Sequence, residues 1–142
     1  HQLQSHITMP GALNQEEVKQ AFSQADVFVL PSLAEGIPVV LMEAMCSGVP
    51  CVSTPVNGIP ELIEHGVTGL LATPGDVDSL SAQLERLLRD PDLRQTLAEA
   101  ARQKVTTSFH LENNVRHLRA LVGAVSARRW RVRHPPIPIT RL

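Results

Sequence analysis

Thiols are scarce in this sequence. Its 142 residues include two cysteines, Cys46 and Cys51, whose separation supports neither a disulfide framework nor a metal-binding pair. The local pattern puts Cys46 in a helix and Cys51 in a strand, each as a small buried apolar side chain. No apolar run approaches the roughly 20 residues that cross a bilayer, and no signal-peptide pattern is present. A reduced, cytoplasmic setting is therefore expected. Aromatic residues are few and tyrosine is absent. Basic residues are sparse where a nucleic-acid surface would need them. Residues 1–127 carry eight lysines and arginines against fourteen acids, whereas 128–142 add five arginines and no acid. The body is mildly acidic and offers no basic field to a nucleic acid.

What the sequence does contain is an alternation of short apolar strands with helices. A strand is expected over 6–9, ending at Pro10-Gly11. Asn14 then caps a helix, with Glu17 completing a capping-box pattern and Val18, Ala21, Phe22 and Ala25 at helical spacing. The run from Val27 to Leu30 is short, β-branched and aromatic, which predicts a fully buried strand. After it, Pro38 suits the first turn of a helix that ends near Gly48. A further strand follows over 50–53. Asn57-Gly58 marks a turn, and Pro60 opens a short helix over 61–65 that Gly66 stops. Residues 69–72 read as a strand, followed by the turn Pro74-Gly75-Asp76. Strand and helix thus alternate four times, which predicts an α/β fold with a parallel sheet and flanking helices. Leu80, Leu84, Leu87 and Leu88 then mark an amphipathic helix capped by Asp78, and Asp90-Pro91 starts another. A last helix is expected over 111–125. The segment 128–142, with five arginines and three prolines, reads as a disordered basic tail.

Two strand-to-helix loops are candidates for chemistry. In the first, Glu35-Gly36-Ile37-Pro38 leaves a buried strand and enters a helix that carries Glu43. Ligands of open α/β sheets bind at such carboxyl ends, and the free N–H groups and dipole of the following helix favour phosphate. Two glutamates eight residues apart are unremarkable alone. Beside that cleft, Glu35 and Glu43 can hold the organic part of a phosphorylated ligand, which points to a sugar nucleotide. The second loop, Val56-Asn57-Gly58-Ile59-Pro60-Glu61, repeats the arrangement, and Gly58 could leave N–H groups bare for a diphosphate.

Together these segments resemble the retaining glycosyltransferases of family 4. The resemblance rests on Ala25-Asp26-Val27 through Pro31-Ser32, Glu35-Gly36-Ile37-Pro38, Glu43-Ala44-Met45, Gly48-Val49-Pro50, Gly58-Ile59-Pro60-Glu61 and Gly66-Val67-Thr68-Gly69-Leu70-Leu71. It covers roughly residues 6–122. The fold implied is the C-terminal, donor-binding Rossmann-like half of a GT-B enzyme, here incomplete, over residues 1–127. The activity implied is transfer of a hexosyl group from a nucleoside diphosphate sugar to a hydroxyl acceptor, in polysaccharide or glycolipid synthesis. On that pattern Glu35 would be the catalytic residue, facing the donor sugar, and Glu43 would bind the ribose hydroxyls. Gly36, Ile37, Pro38 and Val39 would hold the sugar or distal phosphate, and Gly58 and Ile59 would line the same pocket. Gly11 would lie near the nucleobase.

The resemblance implies no metal and no cofactor beyond the donor substrate. The family's basic diphosphate grip and its N-terminal acceptor domain have no counterpart in this sequence. Lys19 is the single lysine or arginine among residues 1–34, and it matches no motif. His1 and His6 read as solvated, His65 as a helix C-terminal cation, and His110 and His117 belong to no constellation. Expected partners are the donor, the acceptor domain, a second copy across an exposed sheet edge, and, through Arg128 to Arg133 with Trp130, the inner face of a membrane. The alternative is an isolated nucleotide-sugar-binding fragment, or a vestigial scaffold, without transferase activity.

Overall fold

The computed structural model describes residues 3–109, 114–116 and 119–120. The chain divides into two compact units, His1–Ser108 and Phe109–Leu142. In the second unit, residues 114–116 and 119–120 are helical, while the rest of the helix expected over 111–125 and the basic tail lie outside the described residues.

The first unit begins with a short 3₁₀ turn, Gln4–His6, followed by α1 (Gln15–Gln24), β1 (Phe28–Leu30), α2 (Val39–Cys46) and β2 (Cys51–Ser53). It continues with α3 (Ile59–Leu62), β3 (Leu70–Leu71), α4 (Val77–Arg89) and α5 (Pro91–Ser108). The strands form one parallel sheet in the order β1-β2-β3, with Val29 opposite Val52 and Val52 opposite Leu70. Parallel strands need helical crossovers, and the helices cover the sheet as the α/β alternation requires. Val52 and Leu70 pack with Leu87 of α4 and Leu97 of α5, and Leu80, Leu84 and Leu93 close over them. Phe22 of α1 meets Phe28 edge to face, with ring centroids 5.5 Å apart.

The capping box on α1 forms as the sequence predicts. Asn14 Oδ1 accepts from the N–H groups of Glu16 and Glu17, each at 3.0 Å, and Glu17 Oε2 accepts from Asn14 N at 2.7 Å. Several other expectations are corrected. Residues 6–9 form no strand; Ile7 and Met9 are solvent-exposed, and the three-strand sheet does not extend to them. β1 is half-buried rather than fully buried, because among the described residues it has a neighbour along one edge alone. The helix beginning at Ile59 stops at Leu62 instead of reaching His65. Its terminal carbonyl, on Leu62, accepts from the buried Thr68 hydroxyl at 3.1 Å, and Gly66 N–H donates to Gly69 at 2.8 Å. His65 is consequently no helix cap: its Nδ1 accepts from Leu71 N–H at 2.9 Å. Asp76, not Asp78, caps α4, accepting from Ser79 N–H at 3.0 Å. Cys46 is exposed rather than buried, since the inward face of α2 is Leu41, Ala44 and Met45. Cys51 lies in the central strand, and burial pushes its thiol up to about 12.

Candidate functional site

The site is assembled at the carboxyl ends of β1 and β2. β1 ends at Leu30, and the chain continues through Pro31-Ser32 before entering α2. Backbone pairing stops with the strands, and side-chain hydroxyls of the neighbouring strand take over. Ser53 Oγ donates to the Leu30 carbonyl at 2.7 Å, and Thr54 Oγ1 donates to the Ser32 carbonyl at 2.5 Å. Ser53 and Thr54 are both buried, so the donor end of each bond is shielded from water. Ser32 Oγ in turn donates to Glu35 Oε1 at 2.8 Å. The partly buried Glu35 is thereby tied to the sheet through a serine hydroxyl.

Beyond Glu35 the backbone is rich in free donors. Pro38 has the extended conformation of an N-cap, and its carbonyl accepts from Leu41 and Met42 at 3.2 and 3.3 Å. No backbone or side-chain acceptor among the described residues takes the N–H groups of Gly36, Ile37, Val39 or Val40. No side chain caps α2, and its first turn holds no acid. In contrast, Asn14, Asp76 and Asp90 side chains occupy the N-termini of α1, α4 and α5. The positive end of α2 is open to an anion.

The second loop meets the first directly. A Cβ placed on Gly58 would lie 2.8 Å from the carbonyl carbon of Gly36 and 2.9 Å from Ile37 Cγ1. Glycine at 58 therefore permits close packing of the two loops. Its neighbour Ile59 is fully buried and donates its N–H to Val56 at 3.0 Å. The expectation that Ile59 lines a ligand pocket is corrected accordingly: its side chain belongs to the core and its N–H is already used. Ile37 and Val39 are exposed, Pro38 is buried, and Gly36 has open space around it.

Glu43 faces a different feature. It lines a shallow pocket of about 180 Å³ between α1 and α2, with Gln15, Val18, Lys19 and Phe22 on the other side. Lys19 forms an exposed pair with Glu16 at 3.4 Å. Gly11 lies in the exposed approach to α1 with φ at 77°, a conformation that glycine adopts without strain. A separate hollow of about 240 Å³ at the strand ends is lined by Pro31, Leu33, Thr54, Thr73, Val77 and Leu80 among others, and none of the sequence-predicted site residues reaches it. Four residues that the sequence reading left without a role thus gain one: Ser32 and Thr54 join Glu35 at the strand ends, and Gln15 and Lys19 share the separate pocket of Glu43. A hydroxyl three residues before Glu35 and the i, i+4 spacing of Gln15 and Lys19 are the signals that could have found them.

A parallel sheet with flanking helices and an uncapped helix N-terminus at its strand ends is a Rossmann-like arrangement, and solved structures show it to match part of a GT-B glycosyltransferase. The fold matches sucrose-phosphate synthase of Thermosynechococcus elongatus with a TM-score of 0.82 and 30% identity, over 89% of this chain and 32% of that one. It also matches HepE of Anabaena, solved in complex with UDP, with a TM-score of 0.70 and 27% identity, over 74% of this chain and 29% of the other. Residues 1–104 match the family model described as glycosyl transferases group 1, and the chain belongs to that family. The amylovoran biosynthesis glycosyltransferase AmsK of Erwinia amylovora is 46% identical over 114 residues, which are 76% of this chain and 28% of AmsK. The chain spans between 26% and 32% of the length of the first curated relatives it matches.

Proposed function

We propose that this chain is the donor-binding part of a retaining glycosyltransferase that moves a hexosyl group from a nucleoside diphosphate sugar to a hydroxyl acceptor in polysaccharide or glycolipid synthesis. The observation that carries this reading is the set of unpaired N–H groups on Gly36, Ile37, Val39 and Val40, with Glu35 directly before them in the chain and Glu43 one turn further along α2, at the pocket shared with α1. Those donors and the α2 dipole would hold a diphosphate and stabilise the negative charge that grows on it as the anomeric bond breaks. Glu35 would accept hydroxyls of the sugar and support positive charge at the anomeric carbon. Glu43 would take the ribose hydroxyls, with Gly11 near the base. The complexes of HepE with UDP and with UDP-glucose support a nucleotide sugar as the ligand class. The donor sugar is a substrate, and the reading needs no metal or resident cofactor.

A second reading concerns the 142 residues by themselves. They span about a third of the relatives' length, and Lys19 is the single lysine or arginine in residues 1–34. Without a partner domain to hold the acceptor in near-attack geometry, about 7–11 kcal/mol of positioning is lost, so the chain would bind donor without turning it over. The proposed setting is the cytoplasmic face of a membrane, with the arginines of 128–142 supplying contact to acidic lipid.

Isothermal titration with UDP, GDP and ADP, and with their sugar conjugates, tests the proposal. Saturable binding of one nucleotide, weakened by Glu43→Ala in a folded chain, is the expected result. Equal affinity in the variant would refute the role of Glu43, and rapid turnover by the chain alone would refute the second reading.

A further inference from the structure

We infer that Ser32 is a positioning residue for Glu35, and that Thr54 sets Ser32 in turn. The geometry is a three-member relay across two loops. The Thr54 hydroxyl donates to the Ser32 carbonyl at 2.5 Å, and the Ser32 hydroxyl donates to Glu35 Oε1 at 2.8 Å. Thr54 is 2% exposed, directly after the central strand. Its anchor is therefore the buried end of the central strand, whereas Glu35 stands on a loop.

An untethered glutamate has three rotatable side-chain torsions, and ordering it costs rotamer freedom. The Ser32 bond meets part of that cost before any ligand arrives. It also engages one carboxylate oxygen, Oε1, which leaves Oε2 as the oxygen free for a ligand hydroxyl. Because the donor is a hydroxyl and the acceptor a carboxylate, the bond belongs to the stronger, charge-assisted class. The Thr54 bond fixes the backbone of Ser32, hence the direction from which its hydroxyl reaches Glu35. Ser53, whose hydroxyl holds the Leu30 carbonyl at 2.7 Å, secures the preceding turn of chain. The inference rests on the proposed role of Glu35 at the donor sugar.

That dependence dictates the experiment. The 142-residue chain is titrated with UDP, GDP and ADP and with UDP-glucose, UDP-N-acetylglucosamine, GDP-mannose and ADP-glucose. The quantity read is the ratio of nucleotide-sugar to nucleotide affinity, alongside thermal unfolding. Ser32→Ala is expected to lower the sugar conjugate's affinity about tenfold while leaving the free nucleotide within about twofold. Ser32→Thr, which keeps the hydroxyl, should restore the ratio. Thr54→Ser should leave it intact and Thr54→Val should reduce it, with no additional loss when Thr54→Val is placed on Ser32→Ala. A folded Ser32→Ala chain with an unchanged ratio would overturn the inference while leaving the donor-binding reading in place. A parallel fall in both affinities would also overturn it, since that marks a general structural role. Failure of the unsubstituted chain to bind any of these probes would overturn the reading of Glu35 and this inference with it.

Discussion

Replacing Gly58 by alanine probes the junction of the two loops. At Gly58 φ is −80°, which alanine adopts freely, so backbone strain contributes nothing. The cost is steric. The added methyl would stand 2.8 Å from the Gly36 carbonyl carbon and 2.9 Å from Ile37 Cγ1. Non-bonded carbons rest about 3.5–4.0 Å apart, so the loop at 36–37 must withdraw by about 1 Å. Overpacking of this kind costs about 1–3 kcal/mol. Each kcal/mol lowers Tm by about 2–4 °C in a chain near this size. The same withdrawal separates the Gly36 and Ile37 N–H groups from those of Val39 and Val40, so donor affinity should fall together with Tm. Gly36→Ala is the matched control: a Cβ there meets nothing within 4 Å, and the backbone is not left-handed. It should leave Tm nearly unchanged, and any loss of donor affinity would then report on the ligand's approach. Thermal unfolding and donor titration of both variants provide the assay. A Gly58→Ala chain with unaltered Tm and affinity would refute the loop-packing argument.

Other predictions follow from single features of the structure. Asn14→Ala removes the acceptor of both capping bonds on α1 and should cost about 1 kcal/mol in urea unfolding; no change would show that the box contributes nothing. A thiol reagent should label Cys46 in the native chain and Cys51 after unfolding alone, and prompt labelling of both would contradict the burial of Cys51. Burial raises the Cys51 thiol from 9.0 to about 12, so between those values the folded chain retains a proton that the unfolded chain has lost. Stability should therefore decline by up to about 1.4 kcal/mol per pH unit across that window, with the contribution intact at lower pH. Cys51→Ala should remove that component, and identical alkaline profiles in the two chains would count against it. Lys19→Ala should change stability by less than about 1 kcal/mol, because its pair with Glu16 is exposed. Its nucleotide affinity should drop about threefold or more if the pocket shared with Glu43 receives the nucleotide.

The parts of this fold that are legible in sequence are those fixed by local chemistry. The capping box on α1, Pro91 at the start of α5, and Gly48 with φ at 76° just past α2 depend on residues within a few positions of one another. The misread parts depend on partners outside the motif that was read, some of them far along the chain. His6-Ile7-Thr8-Met9 has strand-like composition, yet a strand needs a neighbour, and the sheet offers it none among the described residues. α3 ends early because the Thr68 hydroxyl, six residues on, takes the Leu62 carbonyl. Asp78 is misread as the cap of α4 because the leucine spacing does not show the Thr73–Asp76 turn that places the helix start at Val77. Near the strand ends, the loop carrying Glu35 and the helix start beside Pro38 are readable from local pattern. The Ser32–Thr54 link spans 22 residues and two strands, which no local pattern encodes. Gly58 was readable as a special glycine for a different reason, bare N–H groups, whereas its packing against Gly36 is a tertiary fact.

The central claim is that a diphosphate sits on the uncapped N-terminus of α2. It is tested most directly by following backbone amide resonances while the isotope-labelled chain is titrated with UDP and UDP-glucose, and with GDP and ADP in parallel. The account predicts that the nucleotide that binds moves the amides of Gly36, Ile37, Val39 and Val40 furthest, with smaller shifts along Gln15 to Lys19. Saturable binding that leaves those four amides in place, with its largest shifts around Thr73 to Val77 instead, would contradict it.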